Sequence, residues 1–158
     1  MRALVLGAGA VGTKVAQQLL SSNTVDKILL RDIAPEKLGI ASKTLGSRVE
    51  VEHFPFPQNM DADVVVVASP RGTQLEAVKK AISLRRPTVV VSDGLSETVS
   101  ILNLEKEAFE LGVPVVVGTG FAPGLSCVLS AYGKTLLEQT EEIHVSKMGT
   151  GGPACALV

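Results

Sequence analysis

Apolar residues along the chain follow two different rhythms. Short unbroken runs occupy residues 3–6, 28–30, 64–67, 89–91 and 115–117, with Val49 and Val51 flanking Glu50 in a sixth apolar segment, and the later ones are pure valine. A central strand of a parallel sheet is covered on both faces, so it loses the apolar/polar alternation of a half-exposed strand. Helical spacing fills the intervals. Val11, Val15 and Leu19, with Ala16 and Leu20, share one face, while Thr13, Lys14, Gln17, Gln18 and Ser21 take the other. A second helix is predicted from Pro35 to a stop at Gly46, with Gly39 a weak point worth about 1 kcal/mol relative to alanine. Leu75, Val78 and Ile82, beside Ala81, mark a third helix that ends before Pro87. A fourth is expected over 102–111, where Leu104, Ala108 and Leu111 share a face and Gly112 closes the helix. Residues 124–138 read as a further helix, and Ile143 and Val145 alternate as in a strand. Such β-α alternation predicts an α/β fold, a doubly wound and mainly parallel sheet with helices on both faces and four or five central strands.

Composition narrows the class. The 158 residues suit one domain with a real core, and 46% hydrophobic against 20% charged residues excludes a disordered chain. Neither an internal repeat nor a low-complexity tract interrupts it, and the stretch from Phe54 to Pro57 reads as a strand exit. Net charge is -1 with a pI near 6.1, and the longest basic clusters are Arg85-Arg86 and Lys79-Lys80, too little for a nucleic-acid partner. The apolar runs are too short to span a bilayer and the N-terminus lacks the sections of a signal peptide, so no membrane partner and a cytoplasmic location are expected. Cys127 and Cys155 form no CxxC pair and have no clustered histidine, which predicts buried, inert thiols, no disulfide and no metal site.

The first turn carries the chemistry. Gly7-Ala8-Gly9-Ala10-Val11-Gly12 follows an apolar strand and opens a helix, and Asp32 stands twenty residues beyond Gly12 at the end of the next strand. A GxGxxG in that context is the fingerprint of a Rossmann-type dinucleotide-binding unit. Gly7 permits the tight turn, Gly9 lets the backbone approach a pyrophosphate, and Gly12 lets helix and strand pack closely. The helix beginning near Ala10 offers unpaired N–H groups and its dipole to the anion, with Val11 in its first turn. A carboxylate at Asp32 accepts from both ribose hydroxyls and repels a 2′-phosphate, which favours NAD; Arg31 or Lys37 could instead serve NADP. Asp32 also reads as a helix cap ahead of Pro35.

Three more turns leave strand ends on the same carboxyl edge: Ser69-Pro70-Arg71, Ser92-Asp93-Gly94 and Gly118 to Gly124. Ser69 and Pro70 are expected to border the adenosine ribose and the nicotinamide-side phosphate. Arg71 reads equally as a ligand contact or a solvated charge, and Asp93 as the cap of the next helix. His53, His144 and Lys147 fit no nucleophile or metal motif and read as ordinary surface or packing residues, so no catalytic residue is assigned.

Gly118-Thr-Gly-Phe-Ala-Pro-Gly124-Leu125 resembles the G-x-G-F-x-P-G-L signature of the saccharopine dehydrogenase-like oxidoreductases. The glycine loop at 7–12 and the run from Asp61 to Pro70 resemble the N-terminal cofactor domains of that family. The resemblance implies NAD(P)-dependent chemistry at a carbon bearing nitrogen, on an amino-acid-like or amine substrate, with the nicotinamide near Gly120. Members of the family continue into a substrate-binding domain. The expected organisation is thus a dinucleotide-binding domain over 1–140 and, over 141–158, the start of a crossover into a substrate domain that this chain lacks, with Gly149 to Cys155 as its glycine-rich part. Such a chain binds cofactor without turnover, and it exposes apolar surface through which it could form a homo-oligomer. A different class also keeps Gly7 to Gly12 and Asp32: a non-enzymatic nucleotide-sensing module. A sensor has no evident need of Gly118 to Leu125.

Overall fold

In the computed structural model, which describes residues 1–53, 59–91, 94–146 and 148, six strands form a single all-parallel sheet. The strands are β1 (Arg2–Leu6), β2 (Lys27–Asp32), β3 (Val49–His53), β4 (Val64–Val67), β5 (Thr88–Val90) and β6 (Val115–Val117). Six helices separate or follow them: α1 (Ala10–Leu20), α2 (Pro35–Leu45), α3 (Gln74–Ser83), α4 (Leu95–Leu102), α5 (Glu105–Glu110) and α6 (Leu125–Thr135). Spatial order is β3-β2-β1-β4-β5-β6. The chain therefore winds outward from β1 in one direction, then returns to β4 and winds in the other. This is the doubly wound Rossmann-type arrangement expected from the sequence, and its direction reverses between β1 and β4.

Alternation along β1 sends its side chains into two cores. Ala3 and Val5 join Ile28, Leu30 and Val49 beneath Ala16 of α1 and Leu38, Ala41 and Leu45 of α2. Leu4 and Leu6 join Leu29, Val65, Val67 and Val90 beneath Ala77, Val78, Ala81 and Ile82 of α3, Ile101 of α4 and Ala108 of α5. Leu4, Val5, Leu30, Val65, Val67, Val78 and Ile82 are fully buried, each stabilising the fold by about 1.5–3 kcal/mol. The unbroken apolar runs of β1 and β4 thus reflect covering on both faces, while β6 at the edge leaves Val116 exposed.

Three local expectations are corrected. Instead of one helix over 102–111, α4 ends at Leu102 and α5 begins at Glu105; the Leu104 amide bonds back to the Ile101 carbonyl in a tight turn between them. The sequence Leu95–Leu102 offers a poor helical signal, with β-branched and serine positions and only Ile101 buried. Ile143 and Val145 form no strand, because among the described residues no neighbouring chain supplies a ladder beside them. Cys127 is exposed, since α6 turns Ser126 inward and buries none of its larger side chains. Phe54 to Pro57, Ser92, Asp93, Lys147 and the segment from Gly149, with Cys155, lie outside the described residues.

Candidate functional site

The glycine loop forms because the ladder between β1 and β2 continues one bond past the strand. The Gly7 amide donates to the Arg31 carbonyl at 2.8 Å, and the next amide, Ala8, donates to the Asp32 side-chain Oδ2 at 2.6 Å. Gly7 takes φ +105°, and a Cβ there would stand 2.6 Å from the Ala68 carbonyl oxygen. The loop is therefore pressed against the exit of β4. A Cβ on Gly12 would stand 1.8 Å from the Gly7 carbonyl oxygen, so helix and loop approach to a distance only glycine allows.

Gly9 differs from both. Its φ is -75°, open to any residue, and a Cβ added to it would meet nothing within 4 Å. The protein's own packing gives no reason for glycine here. Gly9 is also the N-cap of α1, with no side-chain cap and no acidic residue in the first turn. The first helical bond runs from the Thr13 amide to the Gly9 carbonyl, which leaves the amides of Ala10, Val11 and Gly12 without an acceptor inside the helix. Amides without a helical acceptor and the positive end of the helix dipole thus stand at the N-terminus of α1 next to the open space at Gly9, an arrangement suited to an anion.

Asp32 ends β2 beside this loop and is half-buried. Its Oδ1 accepts from the Ala34 amide at 2.8 Å while Oδ2 accepts from Ala8. The N-cap of α2 is Ala34, so Asp32 supports the turn into that helix without being its cap. Arg31 points to the other face of the sheet, where its Nε donates to Glu52 Oε2 at 2.6 Å and its Nη1 to the Asn59 carbonyl. Two of its guanidinium nitrogens are therefore engaged by groups other than Asp32. Lys37 is exposed in the first turns of α2.

Ser69 follows β4 and lies against Gly7: a Cβ on Gly7 would be 3.0 Å from the Ser69 amide nitrogen. The Ser69 hydroxyl accepts from Thr73 Oγ1 at 2.9 Å, and Thr73 Oγ1 also reaches the carbonyl of the exposed Pro70. Two residues that sequence reasoning passed over hold this loop. Gln74, 3% exposed, donates its amide to the carbonyls of Ser69 and Val91, bridging the exits of β4 and β5. Glu97 of α4 accepts from the amides of Gly72, Gln74 and Leu75 at 2.9–3.1 Å, capping α3 from outside. Nothing in the spacing of 74 and 97 announces these roles, which arise only when α3 and α4 pack together.

The turn after β6 closes on itself. Gly118 and Gly124 have positive φ, and a Cβ on Gly124 would stand 2.2 Å from the Gly120 carbonyl oxygen. The Leu125 and Ser126 amides donate to Gly120 and Phe121, and Thr119 Oγ1 donates to the Val90 carbonyl at 3.0 Å. Gly120 thus sits on the carboxyl edge with Gly7 to Gly12, Asp32, Ser69 and Pro70, but β4 and β5 lie between its strand and β1.

The remaining residues singled out from sequence stay at the surface. His53 Nε2 lies 3.0 Å from the Ile33 carbonyl, and His144 lies 3.0 Å from Glu142, both side chains exposed. Arg71 folds over Gly94, whose Cβ would meet its Nε at 3.1 Å. Among the described residues no cluster of three or more His, Cys, Asp or Glu could hold a metal ion, and no helix is long and apolar enough to cross a membrane.

No family model matches the chain. Its fold is shared by solved oxidoreductases. The apo saccharopine dehydrogenase (L-Glu forming) from Saccharomyces cerevisiae is 20% identical at a TM-score of 0.65, over 85% of this chain and 30% of that one. GenD2 from gentamicin A biosynthesis, solved in complex with NAD, is 23% identical at 0.58, over 75% and 34%. The myo-inositol 2-dehydrogenase from Lactobacillus plantarum is 15% identical at 0.66, over 86% and 40%. This chain therefore spans between 30% and 40% of the length of these three structures.

Proposed function

We propose that residues 1–140 form the cofactor-binding domain of an NAD(P)-dependent oxidoreductase, with the pyrophosphate of the dinucleotide above Gly9 at the N-terminus of α1. The observation that carries this reading is Gly9 itself. Gly7 and Gly12 are demanded by the fold, whereas Gly9 has ordinary dihedrals and open space where a side chain would stand. A glycine that the fold itself does not require leaves room for a group that approaches from outside. The reversal between β1 and β4, where ligands settle in doubly wound sheets, falls at this loop.

In this reading the amides of Ala10, Val11 and Gly12 bind the pyrophosphate, Asp32 accepts from the adenosine ribose, Ser69 and Pro70 border the ribose and phosphate, and Gly120 lies toward the nicotinamide. NAD is favoured over NADP. Asp32 brings a negative charge to the ribose position, and Arg31, the nearest cation in sequence, is engaged by Glu52 on the opposite face. When bound, the nicotinamide supplies hydride transfer. The motif from Gly118 to Leu125 supports a substrate of the amine or amino-acid type, oxidised or reduced at a carbon bearing nitrogen. Residues 141–158 are then the start of the passage to a substrate domain, and residues 1–140 by themselves bind cofactor without turnover.

Titration of the chain with NADH and with NADPH, followed by nicotinamide fluorescence, tests this. Saturable binding with NADH the tighter ligand is expected. Equal affinities would remove the preference, and no saturation by either at millimolar concentration would overturn the reading.

A further inference from the structure

We infer that Asp32 does more than meet a ribose: its carboxylate positions the anion-binding loop, so that it acts on the pyrophosphate end of a ligand through Ala8. This rests on the dinucleotide reading above. Beyond the last bond of the ladder, Gly7 N–H to Arg31 O at 2.8 Å, no backbone carbonyl of β2 receives the following amide. Asp32 Oδ2 takes that place at 2.6 Å. Ala8 is buried, so its amide has no ready replacement in solvent. The anchored residue in turn holds the helix start, because the Ala8 carbonyl accepts from Thr13 Oγ1 at 3.3 Å and the next carbonyl, Gly9, receives the Thr13 amide at 3.0 Å. One carboxylate thereby fixes the loop whose following amides face the anion.

The chemistry leaves room for both tasks. An ionised carboxylate offers about four lone-pair positions. Two are used by Ala8 and Ala34, and the two that remain match the two hydroxyls of a ribose. Asp32 can thus keep the loop in place while it accepts from the sugar. A residue that only touched the ribose would be silent toward a ligand without ribose hydroxyls. A loop anchor would not be.

The experiment compares ADP with 2′,3′-dideoxy-ADP, which keeps the diphosphate and loses both hydroxyls. Calorimetric titration of the full chain and of Asp32→Ala is expected to show dideoxy-ADP weakened at least fivefold by the substitution, and ADP weakened further. Amide exchange of Ala8 is expected to rise at least tenfold in the variant while that of Leu4, inside β1, stays unchanged. Unchanged dideoxy-ADP affinity overturns the inference, whether or not Ala8 exchange rises. Asp32→Asn, which retains one acceptor oxygen, is expected to restore part of both the Ala8 protection and the dideoxy-ADP affinity relative to alanine. It gives the same comparison against the parent chain if the alanine variant does not fold, and an asparagine variant with Ala8 protected yet dideoxy-ADP affinity lost tenfold overturns the inference. If the unaltered chain binds neither nucleotide, the dinucleotide reading falls, and the inference falls with it even where Ala8 exchange shows the anchor itself.

Discussion

Gly7, Gly9 and Gly12 look equivalent in a motif but answer to different forces. A Cβ on Gly12 would collide with the backbone of Gly7, a contact that cannot give way without moving the loop. Gly12→Ala is therefore expected to destabilise the fold by about 1–3 kcal/mol, read as a lower urea midpoint. Gly9→Ala should lower that midpoint less, by about 0.5–1 kcal/mol for the change of N-cap, yet weaken NADH at least tenfold. A large stability loss at Gly9, or undiminished binding, would contradict the division of labour. The motif and its distance to Asp32 were legible in the sequence, as was the helix that follows. Which glycines the fold itself requires was not, because the distinction depends on what a Cβ at each position would meet within 4 Å. The bond from Asp32 to Ala8 was equally hidden, since it joins two strand ends that only sheet pairing brings together.

Elements were legible in proportion to how completely they are buried. The inner strands β1, β2, β4 and β5 coincide with apolar runs, because a parallel strand between two helical layers leaves little room for polar residues, whereas edge strand β3 alternates valine with glutamate and edge strand β6 leaves Val116 exposed. α3 shows its stripe for the same reason, burying Ala77, Val78, Ala81 and Ile82. α4 escaped notice because its stability comes from elsewhere: only Ile101 is buried, and Glu97 reaches across to the start of α3. That carboxylate meets three amides at the positive end of a helix dipole. Glu97→Ala is expected to cost about 1–2 kcal/mol in chemical denaturation, with Glu97→Gln between the two. No change in midpoint would mean that the bonds to Gly72, Gln74 and Leu75 are replaced by water without loss. α6 departs most from the pattern expected of a covering helix. Val128, Leu129, Tyr132 and Leu136 recur at helical spacing but all are more than half exposed, so Val128→Lys with Leu136→Lys should shift stability by no more than about 0.5 kcal/mol. A larger loss would show that this face packs against something in solution.

Taken as a whole, the molecule has one edge richer in chemistry than the rest. The carboxyl ends of β1, β2, β4 and β6 bring together the open N-terminus of α1, the Asp32 carboxylate, the braced Ser69 loop and the closed turn at Gly118 to Gly124. Basic residues are spread instead into surface pairs such as Arg2 with Asp61 and Lys27 with Glu50, and the hydrogen bond from Lys27 holds the Glu50 carboxyl below its usual range. Such exposed pairs contribute little and are screened by salt. The central claim is that a dinucleotide occupies this edge at the β1–β4 reversal. Amide hydrogen exchange of the chain with and without saturating NADH tests it most directly. Protection is expected across 7–13, 32–34 and 69–72, with α5 and the amino ends of the strands unchanged. Protection confined to α5, α6 or the amino edge, with the glycine loop unaffected, would contradict it.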